Sequence, residues 1–117
     1  MTLPDPKVHE TILKAIDEIR LLRFVFGAKE RIVEPHDYGI HEGRVRLFAY
    51  QIRGESTSGP LPDWRLMDVA QISGIQILDE TFGGSRSDSS QKHRKWERIF
   101  ARVGKRNDRS QIRSLVQ

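Results

Sequence analysis

The sequence predicts a mainly β protein: a small five-stranded barrel led by one helix and followed by a second, basic helix. Three observations carry this expectation. Near the start, Val8, Ile12, Ala15, Ile16, Ile19 and Leu22 recur at spacings of three and four. The period then drops to two, and five short runs rich in β-branched and aromatic residues follow, within roughly sixty positions. The connections between these runs are too short for crossover helices, which argues against a parallel sheet, and closing a barrel removes exposed strand edges.

Each element has its own signal. Asp5-Pro6 is a helix start, and the apolar stripe predicts a packing helix from about Pro6 to Leu22. Leu22, Phe24 and Phe26 alternate with Arg23 and Val25 as a first strand, and Gly27-Ala28-Lys29-Glu30 makes a turn. Arg31-Ile32-Val33 resumes extended chain and continues through Tyr38-Gly39-Ile40, with Pro35 marking an edge or bend because it has no N–H to give. After the Glu42-Gly43 turn, Arg44 to Gln51 sets Val45, Leu47 and Ala49 against Arg46, Phe48 and Tyr50, one face aliphatic and the other basic and aromatic. Arg53 to Pro62 has the composition of a mobile polar loop. Trp64 to Val69 is a fourth strand, Ala70 to Ser73 a short turn or 3₁₀ piece, and Gly74 to Leu78 a closing strand. Gly83 to Ser90 has linker composition. Beyond it Trp96, Ile99, Phe100 and Val103 fall at helical spacings, stopped by Gly104. The chain therefore divides into a domain (1–82), a linker (83–90) and a basic amphipathic helix with a tail (91–117).

Composition narrows the function. The 117 residues contain no cysteine, which removes disulfides, thiolate zinc sites and cysteine nucleophiles and suits a reducing cytoplasm. No run approaches the roughly 18 apolar residues that span a bilayer, and Met1 to Lys7 lacks the pattern of a leader, so a cytoplasmic protein without a membrane partner is expected. From Ser85 to Gln117, ten Lys/Arg less three Asp/Glu give +7, whereas residues 1–84 carry ten less thirteen, or −3. A basic tail on a mildly acidic domain suits a polyanion, its plainer role being a solvated extension.

Ala15-Ile16, Phe24-Val25-Phe26, Arg31-Ile32-Val33-Glu34-Pro35, Tyr38-Gly39, Leu47-Phe48-Ala49-Tyr50, Trp64-Arg65-Leu66 and Ile72 together resemble a WYL domain over roughly the first 82 residues. Where that family carries its Trp-Tyr-Leu triplet this chain has Val45-Arg46-Leu47, and Asp68 replaces a second arginine of the later family segment. The resemblance implies a bent SH3/Sm-like barrel after a short helix, with surface basic residues that sense nucleotides or single-stranded nucleic acid in transcription regulation. Family members usually add a helix-turn-helix, for which this chain leaves no room; a stand-alone module that self-associates or joins a larger regulator is the expectation.

Bottom-up, the same residues stand out. Arg31, Arg46, Arg53 and Arg65 lie on or beside strands, lysine is absent from this part of the domain after Lys29, and guanidinium forks suit bidentate anion recognition. Tyr38, Phe48, Tyr50 and Trp64 interleave with them, and aromatics in a basic groove are the recipe for holding single strands. The expected ligand site is Arg31, Arg46, Arg53, Arg65 and Tyr50, with Arg31 and Arg65 gripping one anion; the simpler account puts Phe48 and Trp64 in the core and pairs the arginines with local acids. Trp96, Ile99, Phe100 and Val103 form the expected partner contact. His9, His36, His41 and His93 show no metal-ligand spacing, and no P-loop, G-x-S-x-G or dinucleotide fingerprint occurs, so no metal, cofactor or catalytic residue is assigned. Two alternatives to a non-enzymatic sensor are an adaptor acting through the C-terminal helix and, more remotely, a nuclease using Asp63, Asp68, Asp79 and Glu80.

Overall fold

A computed structural model of the chain describes residues 3–56, 59–86 and 95–104. One helix, α1 (Pro6–Asp17), precedes a six-stranded antiparallel sheet: β1 (Arg20–Phe26), β2 (Lys29–His41), β3 (Arg44–Gly54), β4 (Asp63–Asp68), β5 (Ser73–Thr81) and β6 (Arg98–Arg102). The Asp5 carboxylate accepts from the Lys7 N–H and Pro6 opens the helix, so the first turn is capped as the sequence predicts. Ile12, Ala15 and Ile16 are buried against the sheet.

The helix ends five residues before Leu22, the end the spacing predicts. Ile19 adopts φ 48°, costly for a β-branched residue, and turns the chain into β1. The sheet compensates: the Phe82 N–H donates to the Ile19 carbonyl, Arg20 pairs with Thr81, and Leu21 and Leu22 are both buried. Tertiary pairing thus takes the segment whose apolar residues also fit a helical stripe.

Both predicted hairpins form, with turns whose hand matches strand twist. Gly27 and Ala28 (φ 62° and 60°) join β1 to β2, and Glu42 and Gly43 (φ 51° and 75°) join β2 to β3. β3 continues to Gly54, into the region expected to be loop, and a 3₁₀ turn at Val69–Gln71 links β4 to β5. The strand order is β4-β3-β2-β1-β5. The expected barrel does not close: after the 3₁₀ turn β5 pairs with β1 instead of returning along β4, so those two strands remain the ends of the ladder.

The second correction concerns the C-terminal helix. Arg98–Arg102 is a strand, not helix. β1 pairs with β2 only from Lys29 to Val33, and β6 pairs with the same side of the strand from Asp37 to Ile40. A vacant stretch of strand edge offers a ladder that local helical spacing cannot match. Gly39 permits the approach, because a β-carbon there would overlap the Arg98 carbonyl oxygen. Phe100 is the extra residue of a bulge in β6; it packs against the core with Ala101, and Val103 is buried in it. Residues 91–94 of the expected helix and the tail from 105 lie outside the described residues. Of the expected linker, Gly84 is buried, the Ser85 N–H donates to the Gly104 carbonyl and Arg86 pairs with Glu34, so these positions are anchored by the sheet.

A bulge at His36, between Pro35↔Ala49 and Asp37↔Phe48, bends β2 and leaves every residue from Val33 to Gly39 buried. Leu47, Ala49 and Met67 pack in the main core with α1. On the opposite face Phe48 stacks on Trp64 at 4.7 Å, and Trp64 meets the rings of Tyr50 and His36. Mid-strand, both faces of β3 are covered.

Candidate anion site

Arg31 and Arg65 are both on the face of the sheet that elsewhere forms the core. Arg31 shares the phase of Val33 on β2; Arg65 shares that of Met67 on β4 and pairs with Ala49. Arg31 is buried at 7% exposure. Its Nε donates to the Phe26 carbonyl at 3.1 Å, one terminal nitrogen donates to Gln51 Oε1 at 3.1 Å, and the guanidinium lies 5.3 Å from the centre of the Phe26 ring. Gln51, wholly buried, donates in turn to the carbonyls of Arg53 and Glu55. Burial and then the neighbouring charge of Arg65 push the Arg31 pKa down, with the Glu55 carboxylate working in the opposite direction.

Arg65 donates to Asp63 at 3.1 Å and to Ser56 Oγ at 2.7 Å, while its Nε–H is buried with no partner among the described residues. A buried donor left unmade costs on the order of 1–3 kcal/mol. Two guanidiniums that repel each other, one holding an unused buried N–H, favour any oxyanion able to reach them.

The other residues of the expected site are elsewhere. Arg53 pairs with Ile32, so it faces away from Arg31, and it grips Glu80 through both terminal nitrogens. That grip raises the Arg53 pKa and lowers that of Glu80. Arg46 lies eight residues along β3 from Gly54, the partner of Arg31, a span of roughly 26 Å in extended chain. It bonds Asp68 at 2.7 Å, which with Arg44 holds that carboxyl below its usual range. Tyr50 is on the opposite face under Arg86, whose guanidinium is 4.1 Å from the ring centre and bonds both Glu34 oxygens. All five expected ligand residues therefore have partners within the protein, and of the five only Arg31 and Arg65 are brought near each other.

The expected partner stripe is likewise divided: Trp96 contacts His41, Phe100 contacts His9 and Tyr38, Val103 is buried, and Ile99 is exposed at 36%. The four carboxylates weighed for metal chemistry, Asp63, Asp68, Asp79 and Glu80, each face an arginine. No cluster of three or more potential metal ligands occurs among the described residues, and no described helix is long and apolar enough to cross a membrane.

Gln51 and Ser56 were not expected at the site. Gln51 had a signal: extending Val45, Leu47, Ala49 by two places puts a polar side chain on the aliphatic face, where it needs a buried partner. Ser56 had none. No family model, curated protein or solved structure matches the chain.

Proposed function

We propose that the chain is a non-enzymatic, WYL-like sensing module that binds an anionic ligand, a nucleotide or a short single-stranded nucleic acid, through Arg31 and Arg65. The observation that carries this reading is the Arg65 Nε–H, buried without a partner among the described residues and close to the buried Arg31 guanidinium. The Phe26 carbonyl and Gln51 fix Arg31 in place before any ligand arrives, so little side-chain freedom is lost on binding. Placement of both arginines on the core-facing side of β2 and β4, with only β3 between them, suits a compact phosphate better than a long duplex.

The test is a titration of the full chain with ATP, GMP, short single-stranded DNA and short RNA at two salt concentrations. Binding should fall with salt, and Arg65→Ala should cost about 1–3 kcal/mol of affinity, as loss of a charge-assisted contact does. Arg46→Ala should leave affinity unchanged. Absence of saturable binding to all four, or equal loss in both variants, would defeat the reading.

A further inference from the structure

At the other end of the sheet, the Leu3–Pro4 segment, α1, β2 and β6 line an open cavity of about 470 Å³ that the anion site does not use, walled by Leu3, Pro4, Pro6, His9, Ile40, Arg98 and Phe100. Its size falls within the range of pockets that hold small organic molecules. Its walls are apolar except at two points. Arg98 lies with its guanidinium 5.6 Å from the centre of the Phe100 ring and has no carboxylate partner among the described residues, whereas Arg102, on the same strand, is paired with Asp37. His9 shares a 2.7 Å hydrogen bond between Nδ1 and the Tyr38 hydroxyl. With the phenol as donor, the neutral imidazole carries its single proton on Nε2, and that N–H is left free to donate.

We infer that this cavity binds an amphipathic monocarboxylic acid, its carboxylate on Arg98 and its apolar body against Ile40, Phe100 and the Leu3–Pro6 segment. One uncompensated guanidinium matches one carboxylate fork, and a ligand with more charge would bury it unpaired against prolines and leucine. An uncharged hydrocarbon would leave the cation unused. Leu3, at 70% exposure, gives the apolar wall a side chain that loses water only when something covers it. The inference is independent of the Arg31/Arg65 reading, which concerns the opposite end of β2.

The test follows backbone and aromatic NMR resonances of the full chain during titration with octanoate, with 1-octanol and inorganic phosphate as controls. Octanoate should shift His9, Ile40 and Phe100 saturably; 1-octanol should bind at least about tenfold more weakly, for want of the charge-assisted contact, and phosphate should leave these residues unmoved. Arg98→Gln should weaken octanoate about tenfold, and Leu3→Glu, a change at an exposed position, should weaken it as well. Arg31→Gln should leave octanoate binding unchanged, which separates this site from the anion site. Equal binding of octanol and octanoate, shifts confined to residues around Arg65, or no saturation at all would overturn the inference. So would Overhauser contacts between the cavity and residues 105–117, or concentration-dependent shifts without octanoate, which would make the tail or a second copy the occupant.

Discussion

Arg102 closes its guanidinium on Asp37, a carboxylate with no solvent exposure at all, with Nε 2.8 Å from Oδ1. The pair bolts β6 to the middle of β2, where the two residues are also register partners. Arg102 itself is half exposed, which discounts the pair relative to a fully buried one. Removing only the cation strands a buried charge. Arg102→Met should therefore destabilise the fold by about 2 kcal/mol, and Asp37→Asn in the same chain should restore part of that loss; urea denaturation of the two variants and the wild type measures both.

His36 should make stability depend on pH on the acid side. Its Nε2 accepts from the Arg86 N–H and its Nδ1–H donates to the Glu34 carbonyl, so the folded state holds the neutral ring. Burial lowers its pKa from the ordinary 6.5 despite the nearby carboxylates. The unfolded chain thus takes up a proton first as pH falls: this contribution is intact above about 6.5 and is lost between there and the lower folded pKa. Urea midpoints between pH 8 and pH 5 should decline, and the decline should be shallower in His36→Phe.

Tyr38 should act on the alkaline side. Burial raises its pKa to about 12. The folded state then holds a proton that the unfolded state releases near 10, so stability is undiminished below pH 10 and falls as pH rises toward 12. Tyr38→Phe removes that slope. At neutral pH the same variant should cost about 1 kcal/mol for the lost bond to His9, read by thermal melting.

Gly39→Ala should release β6. The new methyl group overlaps the Arg98 backbone, which is not a flexible side-chain tip able to move aside. A loss of about 1–3 kcal/mol is expected from such overpacking, with amide exchange rising first at Ile99, Ala101 and Val103 while the β1–β2 hairpin stays protected.

What could be read from the chain divides by distance. The helix start and both hairpins were legible because Asp5-Pro6, Gly27-Ala28 and Glu42-Gly43 act on their own neighbours. Strand β6 was not: Trp96, Ile99, Phe100 and Val103 fit a helix, and only the vacant half of β2, some sixty residues earlier by the Tyr38↔Ala101 pairing, makes the segment extended. The site shows the same split. The family-like segments around Arg31 and Arg65 singled out that pair, but Asp68 and Glu80 neutralise Arg46 and Arg53 from 22 and 27 residues away, a pairing no local pattern announces.

The shared side of β2 has a consequence for more than one molecule. β1 takes the first half of that side and β6 the second, and the ladder that receives β6 consists of backbone groups plus the Asp37 carboxylate. Such a receptor does not distinguish its own residues 98–102 from those of a neighbour. At high protein concentration two chains could trade these strands reciprocally, reproducing every native contact at the price of a longer connection and yielding a swapped dimer with no new interface chemistry.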